Sequence, residues 1–465
     1  MKAGLDFRQA VRDAGGRSSA LTLAGPSNQA LPFLDASFST AEANFGFPRI
    51  QAVSSEKLYA SYLANPGAFT ANANNDYRSA ITLSKMAREL VSSAYLRGDV
   101  SLFQHRLKLI GGVRAEQTNV SAQGPLDDPT RNFQRRADGS LIIGANGRPL
   151  PIASTALEIS RLTYIARGAK AEKEYLRLFP SLNANFNVRE NLVARAAVYT
   201  SVGRPNFNQY AGGITLPDTG SEPSPTNRIT VNNAGIKAWS GTTVNARLEY
   251  YFAGVGQISV GGFRREIENF FGSTEFRATP EFLGLYGLDP ALYDRFNVAT
   301  QYNLSSKVRM EGGDFNYKQA LTFLPQWARG VQVFATASIQ RTLGDEFANF
   351  AGFTPRTYNW GASLTRERYN LRAKWNDRAR RRNNPVAAGP SIEPGTYNWT
   401  PAWRSLDVSG EYYFLKRFAV FANLTNVNNA TPDVEISGPS TPMHARFRQR
   451  LDFASLWTMG VKATF

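Results

Sequence analysis

The sequence predicts an all-β fold, a transmembrane antiparallel β-barrel, from three observations. Apolar and polar residues alternate with period two along most of the chain. The alternating segments are ~9–14 residues long, enough to cross a bilayer at a tilt. Their connections alternate in size, a short turn and then a long segment, from one end of the chain to the other.

Taken in order, the chain opens with MKAGLDFRQAVRD, which lacks a secretory signal's apolar core and reads as a strand. Next, Leu107, Leu109, Gly111 and Val113 oppose Arg106, Lys108, Gly112 and Arg114. Leu182, Ala184, Phe186 and Val188 oppose three asparagines, and after the turn Arg189-Glu190-Asn191 the next apolar face is Leu192, Ala194, Ala196 and Val198. Val244, Ala246, Leu248, Tyr250 and Phe252 oppose Asn245, Arg247, Glu249 and Tyr251, and another strand follows from Gln257 to about Phe270. Val331, Val333, Ala335, Ala337 and Ile339 oppose Gln332, Phe334, Thr336, Ser338 and Gln340. Leu406, Val408, Gly410 and Tyr412 oppose Ser405, Asp407, Ser409 and Glu411. The last strand sets Trp457, Met459, Val461, Ala463 and Phe465 on one face. About fourteen strands result, an even number, which returns the chain end to the short-turn side. The longest connections, 14–84 and 120–172, are expected to be extracellular loops.

Composition narrows the function. Of 465 residues 42% are apolar, yet no run of about 18 apolar residues occurs, so spanning helices are excluded. Cysteine is absent, which removes disulfides, thiolate metal sites and cysteine nucleophiles. The two histidines, His105 and His444, have no ligand spacing, so neither metal nor cofactor is expected. No G-x-S-x-G or Walker loop is present, and the chain is not expected to be an enzyme. The net charge of +16 points to an anionic surface or solute, but its spread along the whole chain does not single out nucleic acid.

The polar strand faces supply candidates for a water-filled lumen: Arg114, Glu116, Arg195, Tyr199, Arg247, Glu249, Asp314, Lys318 and Glu411. Their blander role is mutual charge compensation, which needs no ligand. The one dense basic cluster is Arg378, Arg380, Arg381 and Arg382, in a segment that reads as a solvated loop and leads to Tyr397, Trp399 and Trp403. Arginine beside aromatics can hold an anionic or glycan ligand, and equally the phosphates of lipopolysaccharide.

The stretch YLRLFPSLNANFNVRENLVARAAVYTSVGRPNFNQY, residues 175–210, resembles the TonB-dependent receptors of Gram-negative outer membranes. It has their Pro-Ser-Leu-Asn strand, turn, Arg-containing strand and Arg-Pro-x-Phe end, here Arg204, Pro205 and Phe207. Further pieces similar to the family follow in order: ISVGGFRREIENFF (258–271), GGDFNYKQALTFLP (312–325), SLDVSGEYYF (405–414), FANLTNVNN (421–429) and the terminal GVKATF (460–465). The chain departs from the family at residues 233–238, where two prolines are missing, and has no histidine in 208–232, which counts against haem.

The resemblance implies an outer-membrane barrel of roughly twenty-two strands around a plug domain. By it the chain is expected to be the carboxyl-terminal barrel portion, with signal peptide, plug and the first strands missing. It also implies uptake of a small nutrient such as a ferric siderophore or glycan, driven by the TonB complex where a plug is present. Phe465 would be the signal read by the barrel assembly machinery, and outer-membrane lipid and lipopolysaccharide would surround the wall. A plugless passive pore and a soluble basic all-β binding protein stay open as alternatives.

Overall fold

In a computed structural model the structure describes residues 1–24, 27–42, 48–224, 226–231, 237–252, 255–344, 352–386, 391–393 and 395–463. Phe465 and the motif residues 233–236 lie outside them.

Among the described residues fourteen long strands build one wall. They are β1 (Lys2–Ala14), β2 (Lys85–Leu102), β3 (Leu107–Asp127), β4 (Tyr164–Arg189), β5 (Leu192–Gly203), β6 (Trp239–Phe252) and β7 (Gly256–Glu268). Then come β8 (Val308–Ala320), β9 (Val331–Leu343), β10 (Arg356–Thr365), β11 (Tyr369–Arg378), β12 (Trp403–Leu415), β13 (Phe418–Thr425) and β14 (Leu456–Ala463). Each pairs antiparallel with the next, from β1 on β2 to β13 on β14. Among the described residues β1 and β14 have one such partner each and form the two ends of the sheet.

Register explains the alternation. Because side chains repeat every two residues, one in-register ladder puts all the apolar residues of neighbouring strands on the same face. Leu5, Leu176, Val260 and Val461 share that face and are 73%, 62%, 57% and 68% exposed. Large apolar side chains left this open in water would be unfavourable by ~1.5–3 kcal/mol each, so the face belongs against lipid. Aromatics edge it. Trp360 and Trp375 stack at 6.4 Å toward the long-segment end, and Phe414 and Phe418 meet at 6.2 Å at the short-turn end.

The long segment expected over 120–172 is shorter, because β3 and β4 stay paired out to Asp127 and Tyr164. At 21 and 26 residues these strands exceed what a bilayer requires.

A buried apolar core lies at the long-segment end of the wall, where Leu126 and Ala169 of β3 and β4 join residues of the connecting segments. Parts of the long segments 204–238 and 269–307 fold together at the end of β3. Ile214–Thr215 pairs with Leu126–Asp127 and with Thr230–Val231, and Val298–Thr300 pairs with Ile229–Val231. Two short helices, Pro280–Leu285 and Pro290–Tyr293, start at Thr279 and Asp289, whose side chains accept the Phe282 and Ala291 N–H groups at 3.3 and 2.9 Å. Ile229, Leu283, Phe296 and Val298 are fully buried in this cap, with Tyr293 beside them.

Burial pushes the hydroxyls of Tyr286 and Tyr293 up to about 12. The folded cap therefore favours the neutral phenols, and their contribution is intact below the ordinary value of 10. As pH rises from there toward about 12 the unfolded chain ionises first, and stability falls. Amide exchange over 271–304 should accelerate above pH 10 beyond its intrinsic base catalysis, while exchange in the wall strands follows the intrinsic rate.

Candidate functional site

Two surfaces collect the chemistry-bearing side chains: the inner face of the wall and its long-segment end. Alternation that turns leucine and valine outward turns the polar candidates inward, and there most are ion-paired. Arg114 bridges Asp6 at 2.8 Å and Glu116 at 2.6 Å, and Glu116 also takes Arg204 at 2.7 Å. Arg204 reaches on toward Glu89 at 3.8 Å, which joins three strands, β1 to β3, and the start of the long segment after β5 in one network. Arg195 meets Glu249 at 3.1 Å, and the Tyr251 hydroxyl donates to the same carboxylate at 2.8 Å. Arg247 meets Asp314 at 2.7 Å, and Lys462 meets Glu411 at 3.0 Å. Tyr199 and Lys318 make no ion pair among the described residues; each lines a hollow on the same face.

Arg204, Pro205 and Phe207 turn the chain back against the inner face. The Arg12 guanidinium lies 4.6 Å over the Phe207 ring, and Tyr210 and Ala211 cover Ala87, Val120 and Ala122. Asp6, Glu89 and Arg12 were not singled out from sequence. Alternation in β1 would have found Asp6 and Arg12, but nothing local shows that β1 faces Arg114.

The basic cluster is not a solvated loop. Arg378 ends β11, and Arg381–Pro385 is a strand paired with Tyr397–Thr400, which pairs in turn with Val434–Ser437. Alternation then sends Arg378, Arg380 and Arg382 to one face. Their guanidinium carbons lie 5.2, 4.1 and 4.5 Å over the rings of Trp403, Trp399 and Tyr397. Arg381 points the other way, toward the Thr400 hydroxyl at 3.5 Å. Only Arg380 of the three stacked arginines has a carboxylate among the described residues, Glu435 at 2.9 Å. Stacking holds each guanidinium by its face and leaves edge N–H groups for an incoming acceptor.

No group of three or more histidine, cysteine or carboxylate side chains suited to a metal occurs among the described residues. No helix there is long and apolar enough to cross a membrane.

Residues 4–427 match the family model described as TonB dependent receptor-like, beta-barrel. No curated protein matches the chain. Among solved structures, the ferric-catecholate import receptor Fiu from K12 E. coli, in a closed form, aligns at a TM-score of 0.52 with 12% identity. The alignment covers 86% of this chain and 47% of that one. The copper transporter OprC aligns at 0.48 with 13% identity over 82% and 49% of the two chains. The FrpB iron transporter from Neisseria meningitidis aligns at 0.47 with 12% identity over 87% and 49%. The chain thus spans about half the length of the solved structures it matches, and the likeness to Fiu is one of fold.

Proposed function

Since the chain belongs to the TonB-dependent receptor-like β-barrel family, we propose that it serves as the barrel of an outer-membrane receptor for TonB-energised uptake of a small nutrient such as a ferric siderophore or a glycan. The long-segment end would face outward and the short turns the periplasm. The observation that carries this reading is the division of the two faces. One is apolar and exposed, whereas the other is polar and ion-paired. A soluble β-sandwich buries its apolar face instead.

On this reading the nine inward candidates keep the passage hydrated and hold its shape. Capture falls to the stacked arginines, with Arg378 and Arg382, which have no carboxylate partner among the described residues, taking an acidic group of the solute. The same chemistry would hold lipopolysaccharide phosphates if the ladder lies against the outer leaflet.

Uptake separates these roles. Cells lacking the gene should lose accumulation of one nutrient, and collapsing the proton gradient should abolish that accumulation in wild-type cells. Accumulation that survives an uncoupler would mean a passive pore. Replacing Arg378 and Arg382 together with glutamine should raise the half-saturating concentration about 5–30-fold, from the loss of ~1–2 kcal/mol of charged, stacked contacts. An unchanged value would remove the ladder from capture and leave it to lipopolysaccharide.

A further inference from the structure

One hollow on the inner face is not charge-compensated. It measures about 550 Å³ and lies against β6–β11, toward their short-turn ends. Three cations and one carboxylate line it, and two of these are committed to partners beyond it: Arg247 to Asp314 and Glu249 to Arg195. What remains is Lys318 on β8 and Arg372 on β11, neither ion-paired among the described residues, and both exposed to the hollow. Lys318, Phe334, Gly361 and Lys374 form one row across β8, β9, β10 and β11, so a third cation stands at the edge.

Arg372 is held in place. Phe334 is the aromatic on the otherwise polar inner face of β9, and the Arg372 guanidinium lies 4.8 Å over its ring. Gly361 makes room for it, since a Cβ there would sit 2.8 Å from the Phe334 ring and 2.1 Å from the Ala373 carbonyl oxygen. Gln257, Asn316, Gln332 and Asn370 add amides that both donate and accept.

From this geometry we infer that the inner wall carries a binding site for a small polyanionic solute, held by Lys318 and Arg372 and oriented by the surrounding amides. The solute class is a polycarboxylate bearing hydrogen-bonding groups, because cations on separate strands engage separate acidic groups while neutral solutes gain nothing from them. The physiological meaning rests on reading the inner face as a passage, but the binding itself does not, so the two can fail separately.

The probe is propane-1,2,3-tricarboxylate, titrated by calorimetry into the full chain refolded in detergent, with raffinose as the neutral control. Binding of the tricarboxylate should appear at low salt and weaken on raising the salt, and raffinose should give no heat. Replacing Lys318 and Arg372 together with glutamine should weaken binding at least ~10-fold, the scale of one lost charged contact. Arg264→Gln, on the outward face, should leave it unchanged. Phe334→Leu, which keeps both charges and removes the platform, should weaken binding to a smaller degree, and heat-modifiable migration checks that each variant is folded. Wild-type affinity in the folded double variant, equal loss in Arg264→Gln, or no binding by the wild-type chain would each overturn the site.

Discussion

Val461→Arg is expected to impair insertion of the chain into lipid vesicles, while Thr458→Arg, on the same strand, should leave insertion close to normal. Both residues lie on β14 three positions apart, on opposite faces. Val461 pairs with Val420 on the exposed apolar face, and Thr458 pairs with Asn423 on the polar one. An arginine facing lipid is unfavourable by up to ~2–4 kcal/mol at the midplane and by less toward the short-turn edge, where Val461 lies level with Val420 and Tyr412. One facing water in the lumen has almost no such penalty. Even about 1–2 kcal/mol is a measurable share of the 5–15 kcal/mol that typically separates folded from unfolded states. Urea midpoints in vesicles, read by heat-modifiable migration, give the comparison directly. Equal losses at the two positions would mean that the face assignment is wrong.

That comparison relies on the feature most legible in the sequence. A strand written as Val-x-Val-x-Ala-x-Ala-x-Ile, as over 331–339, declares its two faces without any knowledge of its neighbours. The number of strands and the short turns therefore follow from residues adjacent in the chain. The inner ion pairs were legible only by halves. Arg195, Glu249, Arg247 and Asp314 each fall on a polar face by alternation, yet Arg247 meets Asp314 through a register between β6, β7 and β8 that no local pattern encodes. The arginine ladder failed for the same reason. Arg380, Trp399 and Glu435 come from three separate segments, and only their pairing shows that 381–385 is a strand and not a solvated loop. Phe334 was visible and unexplained, an aromatic among Gln332, Thr336 and Ser338. Its purpose appears only when Arg372 and Gly361 are placed beside it.

The cap was the least legible element, and it is where the other large effect is expected. Phe296→Ala should unfold the cap and leave the wall intact. Phe296 is fully buried among Ile229, Leu283 and Val298, and removing such a ring costs ~3–5 kcal/mol once the residual cavity is included. A unit this small has little stability to lose, because it draws on one satellite core and two short helices. The wall does not share the penalty. Its ladder runs through backbone pairing from strand to strand, and it meets the cap where Ile214–Thr215 pairs with the end of β3 and where Leu126 and Ala169 pack on the cap's core. Limited proteolysis of the variant in detergent should therefore cut within 271–304 at enzyme levels that spare the wild-type cap, while the wall keeps its heat-modifiable migration. Loss of both together would show that cap and wall fold as one cooperative unit. The cap's core would then belong to the barrel's own stability, and the long-segment end could not be remodelled for a new solute without risk to the wall.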